Sequence, residues 1–237
     1  LAQSNGKFEL NFDIAGPYTM PNSASYYGSN SPSSDAKASE MIATACKMAN
    51  ADGIDFSNYD WEGDGNVDMV FVIYAGYGEA TSTKRPDVIW PHQFELNYTG
   101  NALYLNGKYV NVYACSNEID EINDTGKPHV QGIGAICHEF SHCLGFPDLY
   151  DTGSAGRFGM GHFDLMCQGS YNGDTFRPAG YSSYEKWMAG WLTPIELSDE
   201  DKQISNMKAI SDNGEAYIIY NQRNRNEYYL LENRQHI

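Results

Sequence analysis

"CHEFSHCLGFPDLYD", residues 137–151, decides how the rest of the chain is read. His138 and His142 stand four apart, Glu139 follows the first, and Gly145, Pro147 and Asp148 follow the second. At about 3.6 residues per turn, residues 131–144 make an amphipathic helix. Its apolar stripe, Ile133, Cys137, Phe140 and Leu144 with Ile136 beside it, is expected to be buried. His138 and His142 lie on the opposite face, near Gly134 and Ala135, with their Cβ atoms about 5–6 Å apart. Two imidazole nitrogens so placed can converge on one metal ion at about 2.0–2.1 Å each. Glu139, roughly 100° further round the helix, falls beside such an ion rather than on it, where a carboxylate can take a proton from metal-bound water. This His-Glu-x-x-His arrangement is the sequence form of zinc-assisted hydrolysis. The competing reading is a helix whose solvated polar face happens to carry two histidines.

Zinc chemistry needs a third protein ligand and an open position. Gly145 accepts the left-handed backbone of a sharp helix exit, and Pro147 cannot continue a helix, so the chain turns directly after His142. Asp148 then lies on the returning segment, completing His138-Glu139-x-x-His142-x-x-Gly145-x-x-Asp148. In metzincin metalloproteases the last place of this pattern is the third ligand. Downstream, "FDLMCQGSYNG" (163–173) offers Met166 as the methionine of a Met-turn beneath the metal. The alternative third ligand, by the logic of thermolysin-like proteases, is Glu185 in "SSYEKWMAGWL" (182–192); its other reading is a supporting carboxylate, paired with Lys186.

The remainder of the chain sets bounds. Its 237 residues suffice for one large domain, or two lobes sharing a cleft, with a sizeable core. Apolar residues are 41% and aromatics 14%, a globular rather than a disordered composition. The formal charge of −16 repels a phosphate backbone, which argues against nucleic acid as a partner. The longest apolar run, near residues 67–75, is too short to span a bilayer. No secretory leader opens the chain at Leu1; an exported protein would carry one upstream. Five cysteines at irregular spacing, Cys46, Cys115, Cys137, Cys143 and Cys167, are not a disulfide framework. Thiolates also bind zinc, yet the wheel turns Cys137 and Cys143 away from the histidines, so buried small residues are expected. His92, His129, His162 and His236 lack partner spacing.

Period-2 alternation predicts a strand over 6–16, and 35–50 reads as an amphipathic helix capped by Asp35, with Met41, Ile42, Ala45, Cys46 and Met48 on one side. Residues 66–76 read as a buried strand, and 101–114 as two strands around Asn106-Gly107, a strong hairpin signal. A helix is expected over 178–192 and paired strands near the end. There is no internal repeat. "DWEGDGNVD" (60–68) carries Asp60, Glu62, Asp64 and Asp68 around Gly65, imitating the first half of an EF-hand loop. The closing glutamate is missing, because Phe71 takes its place, so calcium here needs ligands from elsewhere; otherwise the stretch is an acidic turn before a strand.

The chain resembles the M6 metalloproteases, the group of immune inhibitor A. The resemblance rests on "HEFSHCLGFPDLYD" (138–151), "DLMCQGSYNG" (164–173), "YEKWMAGWL" (184–192), parts of 60–76, "IWPHQF" (89–94) and "YYLLENRQ" (228–235). It implies a single α+β catalytic domain over 1–237 of metzincin-like zincin fold. An α/β-like upper lobe, about 1–145, would hold a twisted mixed sheet with backing and active-site helices. A loop-rich helical lower lobe, about 146–237, would lie beneath it. It further implies a secreted or cell-surface bacterial zinc endopeptidase, acting on proteins or peptides and made with an N-terminal propeptide. Family chains run on past the "ENRQ" strand, so Ile237 reads as a truncation. Zinc on His138, His142 and Asp148 would activate water for Glu139 as general base. Metzincins often place a tyrosine just after the Met-turn methionine; here Cys167 and Gln168 intervene. Tyr171 is then either a cleft residue or a packing aromatic. The other function class is a binding or adhesion module on the same fold without turnover, whose usual sign, loss of Glu139, is not present.

Overall fold

A computed structural model of the protein describes residues 3–31, 34–81, 85–121, 127–153, 155–197 and 201–235. His236 lies outside them. The chain divides into two compact units, one of Asp13–Pro147 with Ser170–Pro178, the other of Leu1–Phe12, Asp148–Gly169 and Ala179–Ile237.

The first unit begins with a short helix α1 (Ala24–Gly28) and the longer α2 (Ala38–Ala51). In α2 the residues Ala38, Ile42, Cys46 and Ala49 recur at helical spacing and are buried. The helix starts later than the sequence suggested. Lys37 occupies the cap position without a side-chain cap, and the Asp35 carboxylate instead accepts the Trp90 N–H at 2.8 Å. Strand β1 (Val70–Tyr77) starts four residues after the expected point. Residues 66 and 67 are diverted, Asn66 bridging Tyr109 and Val67 N–H donating to the Tyr109 carbonyl at 2.9 Å.

Strand β2 (His92–Glu95) is followed by the hairpin of β3 (Leu103–Leu105) and β4 (Lys108–Val110). Asn106 and Gly107 turn it with φ of 50° and 80°, the paired left-handed conformations that an Asn-Gly turn supplies. Strand β5 (Val112–Asp120) is the centre of a four-stranded mixed sheet. It pairs in parallel with β1 on one side, and antiparallel with β2 and the short β6 (His129–Val130) on the other. Tyr27, Ile42, Phe56, Val67, Leu96, Val110 and Tyr113 fill the core of this unit. Helix α3 (Ile133–Cys143) carries the histidine motif.

The second unit holds helix α4 (Ser183–Met188) and a three-stranded sheet of β7 (Ile195–Glu196), β8 (Tyr217–Asn221) and β9 (Asn224–Leu231), in the order β7-β8-β9. The expected terminal strand pair is β8 and β9, antiparallel. The helix expected over 178–192 shrinks to its middle, beginning at the Ser182 cap and ending where Gly190 takes φ of 72°. Trp191 stacks on Phe8 and leans on Tyr181, with centroids 5.9 and 5.5 Å away. Residues 6–16, expected as a strand, form neither helix nor strand. Alternation suits the segment to a sheet, but without a ladder partner it does not become one. The architecture is mixed α+β, with small sheets and few helices.

Candidate metal centre

Helix α3 is built for close approach rather than for a thick apolar stripe. Its buried residues are Gly134, Glu139 and Ser141, whereas Ile133 is 55% exposed and Ile136, Cys137, Phe140 and Leu144 are only partly buried. The wheel therefore misjudged the contact face. The reason lies at Gly134: a Cβ there would sit 1.9 Å from the Ser170 carbonyl oxygen. The Gly134 N–H donates to the Thr175 carbonyl at 2.9 Å, and Gly132 N–H to the Thr175 hydroxyl at 2.9 Å. The helix thus packs on the 170–175 turn through backbone, where small residues are needed.

The exit from α3 follows from sequence. Gly145 takes φ of 88°, its N–H donates to the His142 carbonyl at 2.9 Å, and the Phe146 N–H reaches back to the Ser141 carbonyl at 3.1 Å. These are the two bonds of a Schellman motif. Phe146 is buried, and its carbonyl lies 2.8 Å from His142 Nδ1. A carbonyl can only accept, so Nδ1 carries the proton and Nε2 presents its lone pair outward. The His138 and His142 rings meet edge-on, 4.8 Å between centroids.

After Pro147 the returning chain is fixed by the Leu149 N–H, which donates to the Met166 carbonyl at 2.8 Å. One ligand atom each from His138, His142 and Asp148 lies within 4.8 Å of the others, the one group of three metal-capable side chains among the described residues. Two neutral imidazoles and a carboxylate are a borderline nitrogen and oxygen donor set that suits zinc and leaves a fourth position free. Glu139, on the same helix, is 9% exposed. Tyr171 is 39% exposed, and its hydroxyl pKa is raised first by burial, then by the charges of Glu139 and Asp120. Met166 is fully buried in the turn that receives Leu149.

Glu185 stands outside the metal-capable group. It is the N3 residue of a capping box: its carboxylate accepts the Ser182 N–H at 2.6 Å and the Ser182 hydroxyl at 2.7 Å. The Ser182-x-x-Glu185 spacing was a legible signal of that role, which reading Glu185 as a ligand passed over. Asp164, whose carboxyl accepts the Met166 N–H at 2.8 Å, carried no such signal.

The acidic loop closes on itself. Lys108 Nζ lies 2.5 Å from Asp60, whose two oxygens also accept the Asp64 and Gly65 N–H groups at 3.0 Å. The hydrogen bond from Lys108 holds the Asp60 carboxyl below its ordinary range. Asp68 accepts from the Trp61 N–H and Asp64 from the Asn66 N–H, both at 2.8 Å. Asp60, Glu62, Asp64 and Asp68 form no metal-capable cluster among the described residues. None of the five cysteines forms a disulfide among the described residues; Cys46, Cys115 and Cys167 are buried and Cys137 and Cys143 partly so.

Residues 2–193 match the family described as immune inhibitor A peptidase M6, catalytic domain. The chain is 30% identical over 207 residues to the pre-pro-metalloprotease PrtV of Vibrio cholerae serotype O1, an alignment covering 78% of this chain and 22% of that protein. It is 26% identical over 227 residues to immune inhibitor A of Bacillus thuringiensis subsp. alesti, covering 84% of this chain and 33% of the relative. The chain therefore spans about a fifth to a third of the length of these relatives.

Proposed function

This chain belongs to the M6 peptidase family of immune inhibitor A, and from that premise we propose that it is the catalytic portion of a secreted, zinc-dependent endopeptidase. The single observation that supports the reading best is the convergence of His138, His142 and Asp148 at the exit of a helix that also carries Glu139. His138, His142 and Asp148 would hold the ion. When bound, zinc acts as a Lewis acid toward a peptide carbonyl and toward water. Glu139 is the general base, taking a proton from the attacking water and passing it to the leaving amine. The Phe146 carbonyl holds His142 in the ligating tautomer. Tyr171, beside Glu139 and partly open to solvent, lines the substrate position. The substrates are proteins or peptides. Export and a removable propeptide fit the pre-pro designation of PrtV, and no helix of the described residues is long and apolar enough to cross a membrane. A metzincin-like arrangement, with Met166 as the methionine of the Met-turn, is the fold detail that goes with this assignment.

The test is zinc content together with casein hydrolysis, in wild type and Glu139→Gln. Wild type should retain zinc and cleave. The variant should retain zinc and lose activity by about 10²–10⁴-fold, the usual contribution of a positioned general base. Zinc retention without cleavage by the wild type would favour the binding-module reading, and undiminished turnover in the variant would remove Glu139 from the mechanism.

A further inference from the structure

Behind the Met-turn lies a group of buried charges with no part in the reaction as described. Asp164, Glu185 and Lys186 are all 0% exposed. The Asp164 and Glu185 carboxyls are in hydrogen-bonding contact with each other. Glu185 Oε1 and Asp164 Oδ2 are fully enclosed and accept no hydrogen bond from any other described residue. Two carboxylates cannot share such a place while both are ionised. Around the pair, Arg234 approaches Asp164 at 3.8 Å and hydrogen-bonds Glu232 and the carbonyls of Phe163 and Gly180. Lys186 donates to the Ile210 carbonyl at 2.9 Å, and Glu232 accepts the Ser183 N–H at 2.5 Å. The carboxyls Asp164, Glu185 and Glu232 thus face the cations Lys186 and Arg234, and one proton on the pair brings the cluster to zero net charge.

The pair is wired to the candidate metal ligand through backbone. Asp164 Oδ1 accepts the Met166 N–H at 2.8 Å. The Asp164 carbonyl accepts the Cys167 and Gly169 N–H groups at 3.2 and 3.0 Å. The Met166 carbonyl in turn holds Leu149, the neighbour of Asp148. We propose that Asp164 and Glu185 are positioning residues that share one proton, and that this proton holds the Met-turn in the shape that seats Asp148. The proposal rests on Asp148 being a metal ligand. It predicts an alkaline limit on metal binding set by a group that touches neither the ion nor the substrate.

Burial first, then the Asp164 charge, pushes Glu185 up to about 8. The sign follows. Between the ordinary carboxyl range and about pH 8 the folded protein keeps a proton that the unfolded chain gives up, so raising pH in that window favours unfolding. Above it the proton leaves the folded pair as well, and two adjacent carboxylates push the turn apart.

Glu185→Gln is the discriminating variant. The amide supplies a fixed donor to Asp164, keeps an acceptor for the Ser182 cap and does not titrate. Two measurements are made on it and on wild type. In the first, difference infrared spectra from about pH 6.5 to about pH 9.5 should show a protonated-carboxyl band in wild type that vanishes across that range and is missing from the variant. In the second, zinc affinity by chelator competition should fall on the alkaline side by about tenfold or more in wild type relative to the variant. A wild-type spectrum without that band at neutral pH overturns the shared proton. Zinc curves of the two proteins that superimpose overturn the positioning role. Failure of zinc to bind either protein at any pH is a different result, which overturns the assignment of Asp148 and the positioning role with it. Should Glu185→Gln fail to fold, Asp164→Asn, whose side-chain oxygen still accepts from Met166, gives the same contrast.

Discussion

Gly145→Ala isolates the turn that delivers Asp148. Nothing lies within 4 Å of a Cβ built at Gly145, so the substitution meets no steric obstacle. What it meets is the backbone: φ is 88°, in the left-handed region that a Cβ disfavours. For a non-glycine residue the cost is about 1–2 kcal/mol. Two outcomes share that cost. If the Schellman bonds of Gly145 and Phe146 hold, global stability falls by the full amount, a factor of about 5–30 in the folding equilibrium. If the turn relaxes instead, the Phe146 carbonyl leaves His142 Nδ1 and Asp148 shifts, so the loss appears in zinc affinity. Urea denaturation of the apoprotein and chelator competition on the loaded protein therefore have to be read together. Their combined loss should reach about 1–2 kcal/mol. Gly145→Asn is the control, since asparagine tolerates left-handed backbone and should lose clearly less. Equal losses for alanine and asparagine, or no loss in either assay for alanine, would refute the argument that the conformation at Gly145 seats the third ligand.

Asp148→Ala should leave two imidazoles, and zinc should be stripped by dialysis against a weak chelator that leaves wild type loaded. Asp148→His should recover part of that retention, because imidazole is an equivalent donor at this place. Gly134→Ala forces a methyl to within 1.9 Å of the Ser170 carbonyl oxygen, so α3 must move off the 170–175 turn. A loss of at least about 1–3 kcal/mol is expected in urea denaturation, and an unchanged midpoint would contradict the close packing described.

Local chemistry was open to reading from residue order. The His138/His142 spacing, the left-handed stop at Gly145, the Asn106-Gly107 hairpin and the paired strands after residue 216 each depend on interactions a few residues apart, and each stands where sequence placed it. Among non-local features, Asp148 as a ligand was inferred from the exit geometry of one helix, and one of its oxygens lies within 4.8 Å of a ring nitrogen of each histidine. What sequence could not determine was which neighbour each face would meet. The apolar wheel of α3 gave the wrong contact face, because Gly134 is pressed against backbone some 40 residues along the chain rather than against side chains. The 6–16 segment had the alternation of a strand but pairs with no strand among the described residues. Asp60 to Asp68 had the spacing of a cation loop, yet Lys108, distant in sequence, supplies the positive charge. Glu185 looked free to bind metal until folding enclosed it against Asp164, and the ionisation of a carboxyl is decided by what surrounds it rather than by its place in the chain.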